Sequence, residues 1–350
     1  MDKEMARERL DYKPPKVVDD RDFVLDNGVI KKGTSVLYKL GAAADADNTS
    51  LPKYKLSVSQ VDSQGAIGSC TSFAVSTMYE QLMGGQVIQL SPMFNYTNSR
   101  ILDGDDLTAD PGTTLQTACG NLRLAGICRE TTWPYTQANF GQRPSIKAYQ
   151  EASILASSID YVSLARTVSN IKVAVGMYGY LVSIGFLVGN NYESAETTST
   201  GDIQMEDFST MKVIGGHALN ICGWDDARQR FLIVNNYGAS WGVGGYGSIP
   251  YDYVMSADLT PEIKTFVPRE SFQAQLSQFI SPSPDYSGAA LNDNQNKIWD
   301  NAPFILASLV FIGVLLLLIF SQSAWPLLSA VLLFTVFFCA GFYTQFEMKR

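Results

Sequence analysis

Two uncharged apolar runs near the C-terminus constrain this chain more than any other feature. Residues 303–320 and 325–344 contain no Asp, Glu, Lys or Arg and are dominated by Leu, Val, Phe, Ile and Ala. A helix on the surface of a globular core keeps a polar outer face, and neither run offers one. Each is about long enough to cross a hydrocarbon layer of roughly 30 Å at about 1.5 Å per residue. The short polar break between them, Ser321–Ala324, suits the turn of a hairpin. The expectation is therefore a transmembrane helical hairpin over 303–344, with a buried core hairpin as the competing reading. Trp325, Tyr343 and the Lys349–Arg350 end of the short tail (345–350) stand where interfacial anchors belong. The N-terminus, MDKEMARERLDYKPP, is charged and lacks the apolar centre of a secretory signal. A hairpin returns the chain to its starting side. The expected location is thus a membrane, with the large domain facing the cytoplasm, a virion interior or an equivalent space.

The rest of the chain reads as a water-facing globular domain with two flanking segments. The formal net charge is −8 and no cluster of Lys and Arg occurs, which makes nucleic acid a poor partner. The five cysteines (70, 119, 128, 222 and 339) are odd in number and widely spaced. They resemble free thiols of a reducing compartment more than a disulfide framework. With no CxxC pair and one histidine, no metal site is expected, and no cofactor motif is present. Residues 1–56 are polar and proline-broken, and read as an extended arm: a propeptide-like segment, a strap lying on the domain, or a loose leader. Residues 57–268 carry the globular signals. Helical spacing runs from Cys70 to Met83 and again over Leu115–Leu124, each stopped by glycine. Short dense apolar runs at Val182–Leu187, Ala218–Trp224 and Arg230–Asn235 read as buried strands. Helices first and strands later predict an α+β fold of two subdomains. Residues 269–302, rich in Ser, Gln, Asn, Asp and Pro, read as a flexible stalk.

Three stretches carry chemistry. In VDSQGAIGSCTSFA (61–74), Cys70 opens the first helix, where the helix dipole and free amides favour a thiolate. Gly65 and Gly68 let the backbone turn before it, and Gln64 offers an amide NH₂ that can join the Cys70 N–H around an oxyanion. Read blandly, Cys70 is a buried helix cysteine and Gln64 a turn residue. In GGHALNICGWDD (215–226), His217 follows two glycines and leads into an apolar strand. Most lone histidines are structural, but it alone can serve Cys70 as an imidazole base from within the chain. In FLIVNNYGASWGVGGYGSIPYDY (231–253), Asn235 ends a β-branched run and can accept the second imidazole N–H. The glycine-aromatic loop after it, with Tyr237 and Trp241, can screen that bond, or can be an ordinary hairpin.

Together these stretches resemble the papain-like cysteine peptidases: Gln, then Gly-x-Cys opening a helix, then Gly-His-Ala before a strand, then Asn before an aromatic-glycine loop. His217 falls within the ~130–150-residue separation of such a Cys and His, and Asn235 somewhat beyond it. LSPMFNY (90–96) and DPGTTLQTACGNLRLAGICRETTWPY (110–135) extend the likeness over roughly residues 55–256. A branch of the family found in bacteria and large DNA viruses also reads GSCT, GGHA and PYDY, and is closer than the plant and lysosomal enzymes. The resemblance implies a helical N-terminal subdomain and a β-barrel-like C-terminal one. It implies Cys70 as nucleophile, His217 as general base and acid, Asn235 as orienting amide, Gln64 as oxyanion donor and Gly112 against the substrate backbone. Three positions depart from the pattern. Thr71 and Tyr237 replace tryptophans, and Asn236 replaces a serine, which sets two adjacent amides in competition for His217. The implied activity is hydrolysis of peptide or protein substrates through a thioester. Two rival readings share the residues: a catalytically inactive membrane scaffold or minor virion protein, and a ligase in which an amine outcompetes water.

Overall fold

The computed structural model describes residues 12–14, 23–26, 29–32, 35–39, 48–84, 86 and 88–281. In chain order the elements are strands β1 (Phe23–Asp26), β2 (Val29–Lys32), β3 (Ser35–Lys39) and β4 (Lys53–Lys55); helices α1 (Cys70–Leu82), α2 (Pro92–Asp103), α3 (Leu115–Ala125), α4 (Gln137–Phe140) and α5 (Ile146–Ser153); β5 (Ile159–Leu164), α6 (Val168–Lys172), β6 (Val182–Val188), α7 (Ala195–Thr200), β7 (Gly215–Asp225), β8 (Arg230–Val234), β9 (Tyr246–Pro250), α8 (Tyr251–Met255), β10 (Glu262–Pro268) and α9 (Phe272–Ile280). This is an α+β fold, with its longer helices early and most of its strands late.

Local chemistry sets the helix limits. Ser91, just before Pro92 at the first helical position, accepts the Phe94 N–H at 3.0 Å and so starts α2. Thr114 does the same for α3, taking the Thr117 N–H at 2.9 Å. That helix ends at Gly126, where φ is +72° and a Cβ would lie 1.9 Å from the Ala152 carbonyl oxygen, so only glycine fits. One apolar cluster joins α1, α2, α3, α5 and α9 to the near face of the sheet, through residues such as Val75, Tyr79, Phe94, Leu122, Cys222 and Phe266. A second fills the strand-rich half around Val182, Ile184, Phe186, Trp224, Phe231 and Ile249.

The sheet has ten strands in the order β3-β2-β1-β5-β10-β6-β7-β8-β9, with β4 paired to β7. The expected barrel-like closure is not formed among the described residues: β3 and β9 are the ends of an open ladder. The reason lies in the N-terminal segment, because β1 pairs in parallel with β5 and extends that edge outward. The segment expected as an arm thus adds strands to the sheet, and β4 lies antiparallel on β7.

The expected stalk also begins later than residue 269. Phe272, Leu276 and Phe279 recur at helical spacing and are buried in the helical half. Arg129 holds the end of α9 by donating to the Phe279 carbonyl. The Ser and Gln residues between those positions hid the periodicity. The remaining stalk, the expected membrane hairpin and the tail lie outside the described residues. Among the described residues no helix is long and apolar enough to cross a membrane.

Candidate active site

The helix side of the site is built from polar contacts to backbone. The Gly68 N–H donates to the Asp110 carboxylate, at 3.0 Å to Oδ2 and 3.3 Å to Oδ1. Asp110 also accepts the Tyr96 hydroxyl. Tyr135 donates to the Gln64 carbonyl at 2.8 Å and lies 2.5 Å from the Ser69 hydroxyl. These contacts fix the turn that delivers Cys70 to the first position of α1. Inside that helix, Ser72 donates to Asn95, and Asn95 donates to the Ala118 carbonyl. Gln64 is buried, and its Nε2 donates to the Ile67 carbonyl at 2.9 Å.

The sheet side holds the histidine. Antiparallel pairing sets Phe186 opposite His217 on β6 and β7, and Asn220 opposite Val234 on β7 and β8. Strand β8 therefore ends where Asn235 meets His217. His217 Nε2 lies 2.8 Å from Asn235 Oδ1. The same oxygen accepts the Asn236 N–H at 2.9 Å, and Asn235 Nδ2 donates to the Tyr192 hydroxyl at 3.3 Å. Of the two adjacent amides, Asn235 is thus the one on the imidazole. Asn236 instead ties the two sides together, because its Nδ2 donates to the Cys70 and Ala218 carbonyls, both at 3.0 Å. One side chain so pins the start of α1 beside His217, and brings two residues far apart in sequence into one place. His217 Nδ1 has no hydrogen-bond partner among the described residues.

Three rings enclose the imidazole: Tyr237 at 4.7 Å, Tyr192 at 5.5 Å and Phe186 at 5.8 Å between centroids. Burial there pushes the His217 pKa down to about 4, and the Asn235 bond opposes that shift. An isolated neutral imidazole is therefore the resting form at neutral pH, and an adjacent thiolate is what would favour its protonation.

Neither Cys70 nor His217 is exposed to solvent, and part of the N-terminal segment lies beside them. The Tyr12 N–H donates to the Gly216 carbonyl at 3.0 Å, one residue from His217, and the Lys13 N–H donates to the Thr113 carbonyl at 3.2 Å. The Tyr12 hydroxyl donates to Glu262 at 2.9 Å. A Cβ at Gly185 would meet the Tyr12 ring at 2.4 Å, and one at Gly216 would meet the Tyr12 carbonyl oxygen at 2.5 Å. Gly112 sits at this edge with φ +71°, its N–H given to the Tyr96 hydroxyl at 3.1 Å. The backbone group that meets the Tyr12–Lys13 segment here is the neighbouring Thr113 carbonyl. Among the described residues, no group of three or more His, Cys, Asp or Glu is placed to hold a metal ion.

Known proteins match this chain in sequence and in its α+β frame. The sequence profile of papain family cysteine proteases matches residues 44–262. The chain belongs to the papain family. It is 30% identical over 217 residues to an uncharacterized peptidase C1-like protein of Acanthamoeba polyphaga mimivirus, covering 59% of this chain and 68% of that one. It is 26% identical over 206 residues to cathepsin J of Mus musculus, covering 56% and 58%. Its fold is similar to that of xylellain, a cysteine protease from Xylella fastidiosa, with a TM-score of 0.62 at 24% identity over 75% of this chain and 98% of that structure. In this papain-family peptidase domain, sequence reasoning missed four residues at the site: Tyr12, Asp110, Tyr135 and Tyr192. Tyr12 lies in the segment read as an arm, Asp110 and Tyr135 end the 110–135 stretch whose likeness singled out Gly112 alone, and Tyr192 follows the run read as a strand at Val182–Leu187.

Proposed function

We propose that this papain-family domain hydrolyses peptide bonds through Cys70, His217 and Asn235, and that residues 303–344 hold it at a lipid bilayer. The observation that carries the reading is the His217–Asn235 bond at 2.8 Å, with Asn236 clamping Cys70 to the same strand. With Nε2 engaged by Asn235, Nδ1 is the nitrogen left to exchange a proton with the Cys70 thiol. The thiolate attacks the peptide carbonyl carbon. The Cys70 N–H and the Gln64 side-chain amide take the oxyanion, and protonated His217 gives its proton to the leaving amine as the C–N bond breaks. Water, deprotonated by His217, then hydrolyses the thioester. Gly112 and Thr113 line the substrate-facing edge. The Tyr12 strap covers this machinery, so the full chain is latent until the strap is displaced. The apolar runs support the membrane tether, and the absence of charge over both is its basis.

The test is covalent labelling with an epoxide or vinyl-sulfone probe across pH, on the full chain and on Tyr12→Ala. Labelling confined to Cys70, raised by Tyr12→Ala and lost in Cys70→Ala and His217→Ala, is expected. No labelling of the Tyr12→Ala protein would replace the hydrolase reading with an inactive scaffold. Release of the chain from membranes by alkaline carbonate would rule out the tether.

A further inference from the structure

The segment between β6 and β7, residues 189–214, has no role in the chemistry above. It nevertheless reaches the imidazole. Asn190–Glu193 forms a single 3₁₀ turn, with the Tyr192 N–H on the Gly189 carbonyl at 3.1 Å. The turn is braced by the Thr197 hydroxyl on the Asn191 carbonyl at 3.0 Å. Beyond α7 the segment is tied to β9, with Ile203 N–H on Ser248 O and Ser248 N–H on Gly201 O, both at 2.9 Å. Tyr192 is therefore presented from a braced turn. It is 3% exposed, and packs edge-on against Phe186 and Tyr237.

A carboxamide that orients an imidazole has two faces to satisfy. If Asn235 turned over, its NH₂ would point at His217 Nε2–H and at the Asn236 N–H, two donors against a donor. The Asn236 N–H resists that turn from one side. Tyr192 resists it from the other, because its hydroxyl oxygen takes the Nδ2–H at 3.3 Å. Tyr237, another of the three rings against His217, stands where the papain-like pattern has tryptophan.

We infer that Tyr192 is a positioning residue for the active centre: its hydroxyl locks the Asn235 carboxamide with Oδ1 toward His217, and its ring closes the third side of the imidazole. The 189–214 segment thereby helps to position the active centre. This rests on the Cys70–His217–Asn235 reading above.

The experiment follows alkylation of Cys70 by iodoacetamide, read by mass spectrometry against pH, on the full-length chain carrying Tyr12→Ala. Tyr192→Phe keeps the ring and removes the acceptor. Its expected effect is a rate at neutral pH lower by about three- to tenfold. The basic limb of the profile is expected to move to lower pH, because a less firmly held Asn235 stabilises the imidazolium less. Tyr192→Trp, whose indole nitrogen only donates, is expected to show the same loss, and serves if the phenylalanine variant does not fold. In an Asn235→Ala background, Tyr192→Phe is expected to change the rate by less than about twofold, since a residue acting through Asn235 has nothing left to hold. Unchanged rate and profile in both Tyr192 variants, or losses that add to those of Asn235→Ala, would overturn the role of Tyr192 while leaving the triad intact. An Asn235→Ala protein with the parent profile would instead overturn the triad, and Tyr192 with it.

Discussion

On the helix side of the site, Cys70 is held by polar side chains bonded to backbone: Asp110 on Gly68, Tyr135 on Gln64, and Ser72 and Asn95 inside the helical layer. On the sheet side, His217 is held by a strand register, one carboxamide and three rings. The first arrangement fixes where a backbone turn lies and hence where the Cys70 N–H and the Gln64 side chain sit. The second leaves the imidazole dry and decides how readily it takes a proton. Damage on the helix side should therefore slow the reaction without moving its pH dependence, and damage on the sheet side should move both. Asn236, which bonds to both sides, is the joint between them.

The largest expected effect comes from the two groups proposed to react. Cys70→Ala and His217→Ala should each lower hydrolysis of a susceptible peptide by about 10⁴-fold or more, with melting temperatures within a few degrees of the parent. A His217→Ala protein that kept a tenth of the activity would break the assignment of the base to the sheet side. Next in size is the helical layer itself. Phe272→Ala should destabilise the domain by about 3–4 kcal/mol in denaturant unfolding, because its ring is buried beside Tyr79 in the main cluster. A flexible stalk at that position would show no such loss. Asp110→Ala follows. It removes the acceptor of the Gly68 N–H and the partner of Tyr96. A charge-assisted bond of this kind contributes about 1.5–3 kcal/mol, so kcat/KM should fall by roughly ten- to a hundredfold. Its pH profile should keep the parent's limbs, and a shifted limb would erase the distinction between the two sides.

What could be read from sequence follows the same division. Gln64, Cys70, His217 and Asn235 each sit in a short motif whose neighbours explain them: glycines before a helix, glycines before a strand, an amide at a strand end. The ends of α1 and α3 were legible for the same reason, since caps and glycine stops are local. The contacts around those residues are long-range and leave no local trace. Nothing near Tyr12 says that it will meet Gly185, Gly216 and Glu262. Nothing near Tyr192 says that it will meet Asn235. The assignment of Asn235 over Asn236 needed the register of β7 against β8, which adjacent identical residues do not reveal. Helix α9 was hidden because Ser and Gln fill its outer face, so its composition reads as linker while its burial pattern is that of a helix.

The smallest effect tests whether the far end of α1 is independent of the site at its start. Glu80, in the last turn of α1, is 8% exposed and accepts the Leu90 N–H at 2.8 Å. Burial raises its pKa to about 8, against the pull of the Leu90 bond, with Asp62 and Glu130 adding repulsion. Glu130 is itself raised to about 7, again by burial. For a carboxyl whose folded pKa exceeds its unfolded value, the folded state binds the extra proton. Its contribution is complete below about pH 4.5, declines as pH rises, and is lost once pH passes the folded value near 8. The parent should therefore lose stability between about pH 5 and 8. Glu80→Gln, which keeps an acceptor for Leu90 and cannot ionise, should flatten that decline. At pH 5 the two proteins should melt within a degree or two of one another, and at pH 8.5 the variant should be more stable by roughly 1–2 kcal/mol. The pH profile of Cys70 alkylation should be the same in both, because Glu80 contacts Leu90 and neither His217 nor Asn235. Parallel melting curves from pH 5 to 8.5 would show that Glu80 is ionised throughout. A displaced alkylation profile would show that the two ends of α1 are coupled, and that the helix side sets the proton affinity of the site as well as its geometry.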